Sequence, residues 1–380
     1  QLVGLDRNPF IGRTGGLEEL AENLRAVVAG QDRFCLISGE PGIGKTRLSE
    51  ELVSIAQEQG ASVAWGRCSE RTTASSFWPW AQIIDVLVRG GDLDDVLSEL
   101  GSPLGSLVEL VPSLISLLPE ASEPEPTGDP SLAHFKLADS VVALLKRAAE
   151  SNPLVLVIED LQWADSSSLL LLEHLVQVAG ESSIFVVGTY RDTGAVSGRA
   201  LFNTLAQVGR SAVVSRIQLK GLAGDDTQRL FESIVGDVGS SGVGSGIHER
   251  TSGNPLFAVE IARDVASRGP SGESSELLAL PIGIQEAIGS RLEGLSAECN
   301  RVLATAAVIG VEFSLVRLQM ILDDVIESEL ITSLEEGVGA QLISEIGSDS
   351  GSGDFQFTHA LIQEVISSQI SSARKSGLHG

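Results

Sequence analysis

Short apolar runs alternate with longer amphipathic stretches through the first 220 residues. Asp32–Gly39 (DRFCLISG) reads as a strand that runs into a glycine-rich turn. Ala61–Trp65, Pro153–Ile158 (PLVLVI), Ser183–Thr189 (SIFVVGT) and Ala212–Leu219 (AVVSRIQL) read as four more. PLVLVI has no polar alternation, which suits a strand buried on both faces. After the first turn, Leu48, Leu52, Ile55 and Ala56 recur at a spacing that puts them on one helical face. Strands separated by helix-length segments predict an α/β fold, a parallel sheet with helices on both faces.

Residues 75–151 interrupt this alternation. Trp80–Val88 and Leu132–Ala149 read as helices around PEASEPEPTGDP (119–130), a Pro/Glu-rich solvated loop. Beyond Leu219 the strands stop. Asp225–Val235 and Gly253–Ser267 read as helices bracketed by GDVGSSGVGSG (236–246) and GPSGESS (269–275), which together predict a small helical lid with flexible loops. From Pro281 four helices are expected, near Ile284–Leu292, Ala297–Val308, Ser314–Leu322 and Glu327–Leu342. Leu330, Ile331, Leu334 and Val338 share a stripe of the fourth. Leu342–Ile346 and Phe355–Thr358 then flank GSDSGSGD as a hairpin, and helices followed by a hairpin predict a winged-helix module.

The chemistry begins at the first turn. Gly39-Glu40-Pro41-Gly42-Ile43-Gly44-Lys45-Thr46 fits GxxxxGK[ST], directly after a strand and at a helix start. Glycines let the backbone aim N–H groups at phosphate oxygens, and the helix N-terminus adds partial positive charge. Lys45 supplies a cation to the β/γ-phosphates, Thr46 a hydroxyl to Mg²⁺, and Arg47 continues the helix beside them. The third strand ends in Glu159 and Asp160, which the carboxyl edge of a parallel sheet carries toward the phosphate loop. One acid can hold the Mg²⁺ shell while the other orients water; position favours Glu159 on the metal side and Asp160 on the water side, though either can face the metal. Arg191 closes the fourth strand, either as a γ-phosphate sensor or as a surface partner of Asp192. The expected division is a P-loop nucleotide-binding domain at 1–220 with an insertion near 75–151, a helical lid at 221–280 and a winged helix at 281–380.

Composition narrows the partners. Of 380 residues, 26 are Lys or Arg and 51 are Asp or Glu, a formal charge of −25. Residues 281–380 alone carry five cations against fourteen acids. Nucleic-acid affinity depends on neutralising phosphates, so direct DNA binding by this module is not expected, and an intramolecular clamp fits better. Three scattered cysteines, Cys35, Cys68 and Cys299, exclude a disulfide framework, and no CxxC or HExxH pair suggests zinc. With no apolar run near 18 residues and no signal-peptide pattern, a cytoplasmic protein without a membrane span is expected. The chain opens at Gln1 without Met, and a trimmed N-terminus is expected.

Taken together these stretches resemble the STAND-type signalling ATPases. They resemble more narrowly the ATPase modules of large bacterial LuxR-type or SARP-type regulators, modules also fused to nucleotide cyclases. The resemblance rests on PFIGRTGGLEEL (9–20), LISGEPGIGKTRL (36–48), SSFWPWAQII (75–84), LVLVIEDLQWADSSSLLLLEHL (154–175), VVGTYRD (186–192), ERTSGNPLFAVEI (249–261), LPIGIQEAIGSRLEGLS (280–296) and FQFTHALIQEVI (355–366). It implies that Ile11, Gly12 and Arg13 lie near adenine, that Pro255 packs on the base, and that His359 reaches the β-phosphate in closed, ADP-bound members. Without the resemblance, Asn254-Pro255 reads as a plain helix start, and His359 as a structural or solvated histidine. Trp163 and Asp165 match a signature for which packing is the expected role. Glu159 departs from the aspartate such proteins often carry. The chain ends near where they begin a helical-repeat sensor.

The implied function is an ATP-binding, slowly hydrolysing signalling switch, with ATP/ADP and Mg²⁺ as ligands. Its partners would be its own sensor and output domains, and a nucleotide-dependent oligomer. The alternatives are a non-hydrolytic module locked by ADP or ATP, and the ATPase module of a cyclase fusion.

Overall fold

The computed structural model describes residues 9–69, 76–90, 107, 110–111, 130–191, 199–236, 243–268, 280–346 and 354–370. The first half runs α1 (Thr14–Val28), β1 (Arg33–Ser38), α2 (Lys45–Glu58), β2 (Ser62–Arg67), α3 (Trp78–Arg89), α4 (Pro130–Ala148), β3 (Leu154–Glu159), α5 (Ser166–Gln177), β4 (Ile184–Tyr190), α6 (Arg199–Val208) and β5 (Val214–Gln218). The five strands form one sheet in the order β2-β3-β4-β1-β5, every neighbouring pair parallel. All five expected strands are present. The Pro/Glu segment at 119–129 and Asp192 lie outside the described residues.

Alternation along each strand divides the core. Phe34, Leu36, Leu154, Leu156, Ile158, Ile184 and Val186 face a cluster with α3, α4 and α5. Cys35, Ile37, Val155, Val157, Phe185 and Val187 face the opposite cluster, closed by Leu20 and Leu24 of α1 and Leu48 and Leu52 of α2. All of β3 is buried, as its unbroken apolar pattern requires. Burying such aliphatic side chains contributes about 1.5–3 kcal/mol each. Asp32 is also buried; its carboxylate accepts from the amides of Gly180 (2.7 Å), Ser182 (3.2 Å) and Ile184 (2.9 Å), tying the start of β1 to the start of β4.

The second half is α7 (Gly224–Val235), α8 (Val243–Thr251), α9 (Pro255–Arg268), α10 (Ile282–Glu293), α11 (Ala297–Ile309), β6 (Glu312–Ser314), α12 (Leu315–Ile321), α13 (Glu327–Gly339), β7 (Ile343–Ile346), β8 (Asp354–Phe357) and α14 (Ala360–Gln369). β7 and β8 pair antiparallel, as expected, and β6 adds a third strand on the other side of β8. Residues from Leu222 to Ile366 share one hydrophobic cluster, so the expected lid helices and the helices after them bury a common core.

Three expectations change. The Gly/Ser stretch at 236–246 is not loop throughout, because α8 starts at Val243. The stripe of α13 consists of Leu330, Ser333, Leu334 and Gly337, leaving Ile331 40% exposed. Glu312–Ser314 is too short for an alternation signal and becomes a strand only through its partner. Among the described residues no helix is long and apolar enough to cross a membrane.

All three cysteines are free and buried, and burial pushes each thiol up to about 12. Thiolate is the reactive form. Labelling with a chromogenic disulfide at pH 8 should therefore be negligible in the native protein and reach three equivalents in denaturant. Rapid native labelling would contradict this packing.

Candidate functional site

The phosphate-loop motif sits where β1 gives way to α2. Gly42 and Gly44 have φ of 77° and 102°, conformations that L side chains rarely adopt. A Cβ on Gly42 would lie 2.6 Å from Cβ of Leu256, whereas one on Gly44 would meet nothing within 4 Å. The close approach is deliberate in the fold: Asn254 caps α9 by accepting from the Leu256 amide (3.1 Å), and its Nδ2 donates to the Pro41 carbonyl (3.1 Å). The Leu256 amide also donates to the Gly42 carbonyl at 3.3 Å. Pro255 thus occupies the first helical position, directly over the loop.

Lys45 opens α2 and is buried, with Nζ donating to the carbonyls of Gly39 (2.7 Å) and Glu40 (2.9 Å). Burial, and then Arg191, lower its ammonium to about 8 against the pull of Asp160 and Glu40. Thr46 Oγ1 donates to Glu159 Oε1 at 2.6 Å, joining the loop to the end of β3. Those two hard oxygens, side by side, are a donor set that suits Mg²⁺.

Asp160 faces elsewhere. Its carboxylate accepts from Nε and Nη2 of Arg67, both at 3.2 Å, and from Gln162 Nε2 at 3.0 Å. Gln162 Oε1 in turn accepts from the Arg191 amide (3.1 Å). The Asp160 amide donates to Thr189 Oγ1 (3.2 Å) from a left-handed backbone at φ 59°. The Arg191 guanidinium lies 6.0 Å from the Trp163 ring centroid. Asp165 caps α5, accepting from the Ser168 amide at 2.9 Å.

These residues surround a cleft of about 480 Å³. Pro41 through Arg47 form its floor, and Arg13, Arg67, Asp160 and Arg191 add charge. Ile11, Leu222, Leu230, Pro255 and Val259 provide apolar walls. Arg13 Nη2 donates to the Ile43 carbonyl at 3.0 Å, and burial lowers its guanidinium. Arg47 stacks on Phe10, 5.5 Å from the ring centroid.

Not every expected residue lines this cleft. Gly12 and Gly39 shape backbone instead; a Cβ on Gly12 would sit 2.7 Å from Asp226 Oδ2. Glu159 is reached through Thr46. Glu40 and His359 lie on the far side of the loop, where His359 Nε2 is 2.9 Å from Glu40 Oε2. His359 is held there because Phe257 packs edge-on at 5.2 Å and Glu364 of its helix binds Arg250 at 2.9 and 3.0 Å. The sequence reading missed Arg67, Phe10 and the lid leucines. Arg67 is opposite Glu159 in the β2–β3 register, a signal available only once strand order is known.

The fold agrees with comparisons to known proteins. Residues 9–187 match the AAA ATPase domain, AAA_16. That match covers the glycine-rich loop and most of the parallel sheet, so over these residues the chain is similar to an AAA ATPase domain. It is 24% identical over 409 residues to Uncharacterized protein R02095 of Rhizobium meliloti (strain 1021), covering 99% of this chain and 38% of that protein. Hybrid signal transduction histidine kinase G of Dictyostelium discoideum is 25% identical over 180 residues, 45% of this chain and 5% of that protein. The chain thus spans well under half of either relative. The Walker-type ATPase PABY2304 of Pyrococcus abyssi superposes with a TM-score of 0.60 at 15% identity, covering 95% of this chain and 97% of that one, a likeness of fold. The STAND protein PH0952 of Pyrococcus horikoshii, with a tetratricopeptide repeat sensor, gives a TM-score of 0.39 at 15% identity over 99% of this chain and 46% of that one.

Alanine at Gly42 and at Gly44 separates backbone strain from crowding. Each should lose about 1–2 kcal/mol to the left-handed conformation, and Gly42→Ala more, from its clash with Leu256. Urea unfolding measures both; equal losses would contradict the loop–lid contact.

Proposed function

We propose that the chain is the ATP-binding, slowly hydrolysing switch of a larger bacterial signalling protein, and more narrowly the ATPase core of a LuxR-type transcriptional regulator. The observation that carries the nucleotide reading is the 2.6 Å contact of Thr46 with Glu159 beneath a glycine loop, at the floor of a cleft with apolar walls. The LuxR-type assignment is supported by the motif resemblance alone, and the acidic C-terminal module favours a clamp over a DNA reader.

In this reading the amides of Gly42–Thr46 and the Lys45 ammonium hold the phosphate chain. Ile11, Arg13 and Pro255 flank the base. Thr46 and Glu159 hold Mg²⁺, which when bound neutralises charge on the phosphates. Asp160 orients water, and Arg191 answers to the γ-phosphate. The contacts of Asn254 and Leu256 with the loop carry its state to the lid, and His359 carries it to the C-terminal module through Glu40. A nucleotide moves such an equilibrium only through different affinities for its two arrangements. The sensor, output domain, oligomer and cytoplasmic location belong to the same proposal.

A second reading, nucleotide as a structural lock, is favoured by one contact: Arg67 occupies the carboxylate of Asp160. It requires bound ADP and no phosphate release.

Phosphate-release assays and calorimetry distinguish the two. Lys45→Ala should weaken ADP binding at least tenfold and abolish turnover, while Glu159→Gln should keep the Mg²⁺-independent part of nucleotide affinity and lose turnover by about 10²-fold. Wild-type release equal to that of Lys45→Ala would leave only the lock; wild type without nucleotide affinity would overturn both.

A further inference from the structure

A second cavity, of about 200 Å³, lies on the far side of the phosphate loop, between Glu40 and Pro41 and the C-terminal module. It is smaller than the roughly 300–1,000 Å³ usual for a drug-sized ligand, so a nucleotide does not fit it. Its walls include Arg291 of α10, Gln341, Thr358 and His359. Arg291 makes no hydrogen bond or ion pair among the described residues, and burial, then Arg191, lower its guanidinium to about 10. Gln341 Oε1 and His359 Nδ1 are buried there without a hydrogen-bond partner among the described residues. Glu40 pulls the Arg291 guanidinium the other way, but its carboxylate is engaged by His359 and held below its usual range chiefly by that hydrogen bond.

A desolvated guanidinium is costly when its one opposing carboxylate, Glu40, is already engaged by His359, and so is a buried carbonyl without a donor. Arg291 also adds to Arg191 in opposing the charge on Lys45, so three cations converge on this end of the loop. A ligand that relieves all of this must be small, anionic and able to donate one hydrogen bond. Hydrogen phosphate meets each condition: its oxygens accept from the guanidinium and its hydroxyl donates to Gln341 Oε1.

We propose that the cavity between the phosphate loop and the C-terminal module is a second oxyanion subsite, in which Arg291 and Gln341 hold a phosphoryl group. That group is either the γ-phosphate of ATP held in the main cleft, which Pro41 borders together with this cavity, or free orthophosphate. The subsite rests on the nucleotide reading above and deepens it. It makes the C-terminal module a sensor of phosphate through Arg291, a residue outside the nucleotide cleft.

Calorimetric titration of inorganic phosphate into the chain saturated with Mg·ADP tests this. Wild type should bind phosphate, and Arg291→Ala should weaken that binding at least about tenfold, the scale of one charge-assisted hydrogen bond. ADP affinity measured without phosphate should stay within about twofold in the variant. Repeating the titration with a non-hydrolysable ATP analogue separates the sources: loss of phosphate binding assigns the subsite to the terminal phosphate, and undiminished binding assigns it to orthophosphate. No phosphate binding by wild type, or binding unaffected by Arg291→Ala, overturns the subsite. Failure of ADP to bind overturns the nucleotide reading instead, and the phosphate titration of the nucleotide-free chain then still reads Arg291. Circular dichroism checks that Arg291→Ala folds; should it not, Arg291→Gln carries the same expectation.

Discussion

The carboxyl edge of one parallel sheet has to bring two separate strand ends together, and everything else in the cleft depends on that meeting. β4 lies between β1 and β3, so the loop after β1 and the acids after β3 stand one strand apart. Thr46 closes the gap to Glu159 at 2.6 Å. Neither residue could be placed by its own segment. The burial of β1, β3 and β4 on both faces fixes their order and twist, and that fixes the distance between a hydroxyl and a carboxylate far apart in sequence.

The same edge explains how chemistry at the loop reaches the rest of the chain. Asn254 and Leu256 touch the carbonyls of Pro41 and Gly42, and His359 touches Glu40. Three consecutive loop residues therefore have partners in the second half of the molecule. That half has one continuous core from Leu222 to Ile366, so a shift of α9 cannot be absorbed within the lid helices alone. Close packing makes such contacts bistable elements through which a nucleotide can be felt at a distance.

Much of this was legible in the sequence, for identifiable reasons. PLVLVI and the other apolar runs signalled strands because burial on both faces removes polar alternation. Gly39–Thr46 signalled phosphate chemistry because few backbone arrangements need that glycine spacing. The expectation for Glu159 and Asp160 was left open between two roles; in the structure Thr46 bonds Glu159 alone, whereas Arg67 lies 3.2 Å from Asp160 and 3.9 Å from Glu159. What stayed hidden depends on pairing in space. Arg67 matters through strand register, β6 exists only against β8, and Asp32 looked like an ordinary turn residue before β1 while three amides converge on it. His359 was expected at the β-phosphate by resemblance; its partner here is Glu40, set by Phe257 and Arg250, neither of which its own segment reveals.

The central claim is that Thr46 and Glu159 act as one unit toward Mg²⁺ and a nucleotide. A double-mutant cycle measures it directly: the Mg²⁺-dependent gain in ADP affinity, determined for wild type, Thr46→Val, Glu159→Gln and the double variant. Residues acting as a unit are non-additive. Each single change should remove most of the Mg²⁺-dependent gain, with the double variant losing little more than either. Independent, additive losses, or a gain that survives both changes, would contradict the account.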